Sequence, residues 1–138
     1  MFRNLYAGAV VLLLLLIQAS WGVNAQTSSA IIDQLRTTIG QTIGAQPDTV
    51  EIVVSGNVLT ILRVNSSMNQ STHAGRDNEA NAIAPIASKA IAGSPEFKKL
   101  HTIRVEYVAR SKPGAAPRVI DTIDFRKSPA GSFEFHMT

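Results

Sequence analysis

Hydrophobic and polar positions alternate most regularly from Val50 to Val64, VEIVVSGNVLTILRV, where two β-rich runs flank the dipeptide Gly56-Asn57. A two-residue connection of this kind predicts a type I′ or II′ hairpin, because those turns need positive φ and Gly and Asn supply it at little cost. The turn sets the register: Ser55 opposite Val58, Val54 opposite Leu59, Ile52 opposite Ile61, Val50 opposite Arg63. Side chains alternate along a strand, so Val50, Ile52, Val54, Leu59 and Ile61 share a predicted core face. Glu51, Val53, Val58, Thr60 and Leu62 form the opposite face, which is apolar for a solvated surface. Either another element covers that face, or a partner, a lipid or a second subunit uses it.

Before the hairpin, Ser28-Ser29 can cap a helix whose Ile32, Leu35, Ile39 and Ile43 fall at helical spacing, closed by Gly44 and Pro47. Gly40 within it marks a place where another element approaches closely. After the hairpin, the polar stretch Asn65 to Asn81 leads into a second helical pattern of Ala80, Ile83, Ala87 and Ile91. A long irregular loop is uncommon in a compact domain, so the helix is expected from about Thr72 to Ala92. Pro85 lacks a backbone donor, so the helix is either kinked there or starts at Ala84-Pro85. Thr102 to Arg110 then alternates, with Ile103, Val105 and Tyr107 inward and Arg104, Glu106 and Arg110 outward. Arg118 to Lys127 returns with Val119, Asp121, Ile123 and Phe125 on one face, and Phe133 and Phe135 mark a last strand. The expected fold is an α+β two-layer sandwich in the order α-β-β-α-β-β-β, an antiparallel sheet with two helices on one face. Val50-Glu51-Ile52-Val53 and Val105-Glu106-Tyr107-Val108 look alike, but no turn residues match, which favours coincidence over duplication.

Composition changes the picture chiefly at the N-terminus. Met1 to Ala25 has a short segment carrying Arg3, an apolar run from about Leu5 to Ile17, and a small-residue end Val23-Asn24-Ala25, the pattern of a signal peptide cleaved before Gln26. A retained anchor is the alternative, although the run is shorter than the roughly 20 residues needed to span a bilayer. Residues 26–138 then make a single small domain, large enough to bury a core without disulfides, and the chain has no cysteine. Expected locations are the bacterial periplasm or exterior. Asn65-Ser66-Ser67 and Asn69-Gln70-Ser71 fit the glycosylation pattern, as chance matches do in a chain rich in Asn and Ser.

Charge is mildly positive overall and concentrated after Lys89, with Arg104, Arg110 and Arg126 the candidate basic positions on the strands. An anionic membrane surface is a permitted partner for such a patch. Nucleic acid is not expected, because acidic residues interleave and few aromatic side chains are available for stacking. The chemical candidates cluster before the second helix: Ser71, Thr72, His73, Arg76, Asp77 and Glu79 put a nucleophile, a base and carboxylates together. The structural alternative has Ser71 or Thr72 capping the helix, with Asp77 and Glu79 on its solvated face. His73, His101 and His136 lack metal-ligand spacing, and no cofactor is expected. Asp121 on an inward phase needs a partner such as Arg110 or Arg118, unless it lies at the sheet edge or the register slips by one.

VEIVVSGNVLT, AIAPIASKAIAG and IRVEYV, in that order, resemble the α-β-β-α-β plan of BON domains, exported bacterial modules associated with membrane surfaces. The resemblance covers about half of the chain after the leader, and Arg118 to Thr138 adds a hairpin beyond it. It implies a membrane-surface-binding module and assigns no binding residue. The leading expectation is an exported, non-catalytic domain that binds an envelope component or a protein partner, with a homodimer through the outer hairpin face as one form. A BON-like module and a small secreted hydrolase using the His73 region are the alternatives.

Overall fold

The computed structural model describes residues 28–135, so the expected leader, its cleavage site and His136 lie outside the described residues. Helix α1 spans 28–43. It is followed by β1 (Val50–Ser55), β2 (Val58–Val64), α2 (His73–Ala92), β3 (Thr102–Ala109), β4 (Arg118–Lys127) and β5 (Phe133–Phe135). The five strands lie side by side in chain order, β1 and β5 at the edges.

The hairpin pairs residue for residue as its turn dictates, from Val50 with Arg63 to Ser55 with Val58. Gly56 has φ 57° and Asn57 stays out of the positive region, which makes the turn type II′. The sheet is antiparallel except between β2 and β3, which run parallel. Two parallel neighbours need a crossover, and α2 is that crossover.

Both helices pack on one face of the sheet. Leu35 and Ile39 of α1 and Ala80, Ile83, Ala87 and Ile91 of α2 share a single core with Leu59, Ile61, Ile103, Val105, Ile123 and Phe125. Each fully buried Leu or Ile is worth about 1.5–3 kcal/mol, and the alanines of α2 let the helix lie close to the sheet. Gly40 is buried because the chain folds back on it: a Cβ there would sit 3.1 Å from Ala45 O. α2 starts where Thr72 caps it, Thr72 Oγ1 accepting from Gly75 N–H at 3.1 Å, and it continues through Pro85. Pro85 removes the N–H that would bond the Asn81 carbonyl, and both residues are exposed. Among the described residues no helix is long and apolar enough to cross a membrane.

Two side chains depart from the expected burial. Val54 was expected in the core but is 44% exposed, because it stands beside the turn at a corner of the sheet that the helices do not reach. Val119 was expected on the inner face and is 52% exposed instead. A register shift between Tyr107 and Val108 sets Asp121 opposite Tyr107 but Val119 opposite Val108 on the outer face. A β-bulge of this kind places one extra residue in β4 and reverses the alternation beyond it.

Candidate functional site

The described polar residues gather chiefly in two places, a network beneath the first turns of α2 and the outer face of the sheet, which neither helix covers and where, of the described residues, only Val64 and Val108 are buried. The network begins with Asp121, which the bulge leaves on the helix side. Arg76 Nε donates to Asp121 Oδ2 at 2.7 Å, His73 Nδ1 lies 2.6 Å from the same oxygen, and Thr122 N–H donates to Oδ1 at 2.9 Å. Arg110 and Arg118 are not its partners, because α2 delivers Arg76 directly above it. Burial raises the carboxyl pKa, but hydrogen bonds from Arg76, His73 and the Thr122 backbone outweigh it, leaving Asp121 below its ordinary value.

His73 is exposed, and its second nitrogen, Nε2, lies 3.4 Å from Asp77 Oδ2. The hydrogen bond and charge of Asp121, followed by the charge of Asp77, raise the imidazole pKa. Both ring nitrogens thus face carboxylates, an arrangement that favours the protonated ring, which donates from each side. With Nδ1 and Nε2 both directed at carboxylates, neither nitrogen hydrogen-bonds Ser71, as a general base for that hydroxyl must. The other Asp77 oxygen is buried without a hydrogen-bond partner.

Asp77 and Glu79 do not occupy the solvated face expected of them. Their side chains are 21% and 13% exposed, and Glu79 Oε1 accepts from Arg63 Nε at 2.8 Å. Arg63 is the residue that sequence reasoning passed over. It follows Leu59 and Ile61 on the inward phase of β2 and is 4% exposed, with its remaining donors on Ser66 Oγ and Thr49 Oγ1. A charge on an inward phase must find a counter-charge on an element packed against that face, and here Glu79 of α2 supplies it. Tyr107 closes the group: its hydroxyl lies 3.0 Å from Arg76 O and 3.2 Å from Glu79 Oε1, which share its one proton. Burial, then the charge of Glu79, raises the phenol pKa far above its ordinary value.

The outer face collects the other candidates. Val53 is 48% exposed, Val58, Thr60 and Leu62 are half-buried, and neither helix lies over them. Arg104 makes a two-point pair with its cross-strand neighbour Asp124, Nε to Oδ1 at 2.7 Å and Nη2 to Oδ2 at 2.9 Å. Arg110 reaches over β2 to Glu51 on β1, with Nη1 and Nη2 at 2.6 and 3.2 Å from the two carboxylate oxygens. Arg126 is exposed on the same face. Two of the three basic candidates are therefore neutralised within the sheet.

Asn65 and Asn69, the glycosylation-pattern residues, have structural work. Asn65 adopts φ 50°, its Oδ1 accepts from Arg110 N–H at 2.8 Å and its Nδ2 donates to Arg110 O at 3.0 Å, while Asn69 Nδ2 donates to Val108 O. These bonds hold the polar stretch after β2 against the end of β3. His101 precedes β3 at its start, whereas Asp121 and His73 gather near its end, so the two histidines do not share a site. Among the described residues no group of three or more His, Cys, Asp or Glu is placed to hold a metal ion. No family model matches the chain, and no curated protein or solved structure matches it.

Proposed function

We propose that this chain is an exported, non-catalytic domain that binds a protein partner across the uncovered face of its sheet. The observation that carries the reading is the two-sidedness of the sheet. One face is filled by α1 and α2, while the other presents Val53, Val58, Leu62 and Val119 among ion pairs that are already made. A flat surface with apolar positions and charges fixed in place loses little side-chain freedom when a partner covers it. Export is supported by the pattern of Met1 to Ala25.

The pairing of Arg104 and Arg110 favours a protein over an anionic membrane surface, since their charge is spent on Asp124 and Glu51. The engagement of both His73 ring nitrogens by Asp121 and Asp77 favours binding over hydrolysis. Thr60→Asp with Val119→Asp adds two carboxylates to the face without touching the core. In native extracts the unaltered chain is expected to migrate in an assembly heavier than two copies of itself, and the double variant as no more than two copies. Identical migration of the two contradicts the proposal.

A further inference from the structure

β1 is an edge strand: β2 pairs one side of it, and no strand of the described residues pairs the other. Natural sheets protect edges by shortening them or by placing Pro or Lys on them. The opposite edge, β5, is three residues long. β1 is six residues long, VEIVVS, with neither device, and its one charge, Glu51, is held by Arg110. Two of the three exposed large apolar side chains among the described residues, Val53 and Val54, are consecutive on this strand and project to its two faces.

The direction of the backbone groups follows from the turn. In a hairpin closed by two residues the flanking pair, Ser55 and Val58, is hydrogen-bonded. Ser55, Val53 and Glu51 therefore bond to β2, and Ile52 and Val54 aim N–H and C=O away from the sheet. Val50 N–H is already used by Pro47 O, so the open stretch starts at Ile52.

We infer that two copies of this chain pair through β1, antiparallel, about a two-fold axis at Val53. Ile52 of each copy then lies opposite Val54 of the other and exchanges both backbone bonds with it, four in all. On the outer face Val53 meets its own counterpart, and on the helix side Ile52 packs against Val54. The occupant is a second copy because the strand is complementary to itself in this register. Each apolar residue meets an apolar one, and Glu51 falls opposite Ser55. The two Glu51 side chains stay about four residues, or roughly 14 Å, apart along the strands. Pairing joins two five-stranded sheets into one and doubles the outer face. This goes beyond the proposed function, because the edge pairs whether or not another protein covers the face.

The test uses the purified chain in the form cells accumulate. Sedimentation equilibrium is expected to show a monomer–dimer equilibrium. Val54→Pro removes an N–H that points away from β2, a change an edge strand accepts. It deletes two symmetry-related bonds and is expected to weaken the dimer about a hundredfold, at about tenfold per bond, with the circular dichroism of the fold retained. The chain has no cysteine, so Val53→Cys introduces a lone thiol at the axis. Facing Cα atoms of a non-bonded antiparallel pair lie about 4.5 Å apart, within disulfide reach. Val53→Cys is expected to form a disulfide-linked dimer under mild oxidation, and Ser55→Cys, four positions out of register with itself, is not. A chain that stays monomeric at about 1 mM overturns the inference and leaves β1 to an extended segment of another protein. Cross-linking that is no faster at Val53 than at Ser55, or a dimer unaffected by Val54→Pro, overturns it as well. Migration in a heavy assembly that survives Val54→Pro but not the face substitutions leaves the proposed function standing alone.

Discussion

Arg63 Nε donates to Glu79 Oε1 at 2.8 Å, sixteen positions along the chain, with the two side chains 5% and 13% exposed. This pair ties the end of β2 to the second turn of α2, and Ser66, Thr49 and Tyr107 complete its hydrogen bonding. A buried pair of this kind holds two elements in register and is costly to break from one side. Arg63→Met is expected to lower stability by about 3–5 kcal/mol, because Glu79 loses its counter-charge. Arg63→Met with Glu79→Leu is expected to be less damaging than the sum of the single changes, as seen in a double-mutant cycle by urea unfolding. Strict additivity would show that the two side chains do not depend on each other.

Asp121 and Arg76, 15% and 11% exposed, form the second tie, here between α2 and β4. Asp121→Asn keeps the shape and removes the charge that Arg76 faces. The expected loss is about 2–3 kcal/mol, the range for a charged hydrogen bond whose partner stays behind. Thermal or urea unfolding measures it. Stability unchanged to within about 0.5 kcal/mol, the scatter of ordinary surface changes, would contradict the assignment.

The same cluster sets a pH dependence. His73 has its pKa raised above 6.5, so its contribution is complete below that value and fades as pH rises through the folded pKa. Asp121 has its pKa lowered below 3.8, so its contribution is complete above that value and fades as pH falls through the folded pKa. The cluster is therefore fully effective between about pH 4 and 6.5. The difference in melting temperature between the unaltered chain and His73→Gln is expected to be greatest in that window and to shrink toward alkaline pH. A difference that grows with pH would reverse the sign and remove the imidazolium reading.

Asn65 carries out three tasks at once: it takes positive φ, accepts from Arg110 N–H and donates to Arg110 O. Asn65→Ala loses both side-chain bonds and puts Ala, which lacks the local hydrogen bonding that lets Asn visit the left-handed region, at φ 50°. The expected cost is about 2–3 kcal/mol, with Asn65→Gly recovering about 1 kcal/mol of it. Urea unfolding of the two variants compares them directly, and equal stability would show that the backbone there is unstrained.

Much of the fold was legible because local signals agreed with one another. Gly56-Asn57 set the hairpin register through to Val50 and Arg63, and Thr72 marked the start of α2. What stayed hidden depended on contacts between distant segments. Nothing local in Arg118 to Lys127 announces the bulge that turns Val119 outward while keeping Asp121 inward. Asp77 and Glu79 flank the apolar stripe of α2, Glu79 one turn before Ile83, yet their charge alone suggests solvated positions until Arg63 is placed on the inner face of β2 beneath Glu79 and His73 beside Asp77. Val54 obeys the alternation but stands at a corner where no helix arrives. Each exception follows from packing geometry in three dimensions, which periodicity along one segment does not encode.

The central claim, that the outer sheet face binds a protein partner, is tested most directly by photo-crosslinking in growing cells. A photoreactive side chain at Thr60 or Val119 reports on that face, and one at Gln41 or Ala92 reports on the exposed side of the helix layer. Discrete adducts heavier than two copies of the chain are expected from Thr60 and Val119, and none from Gln41 and Ala92. Adducts from the helix positions alone, or from none of the four, would contradict it.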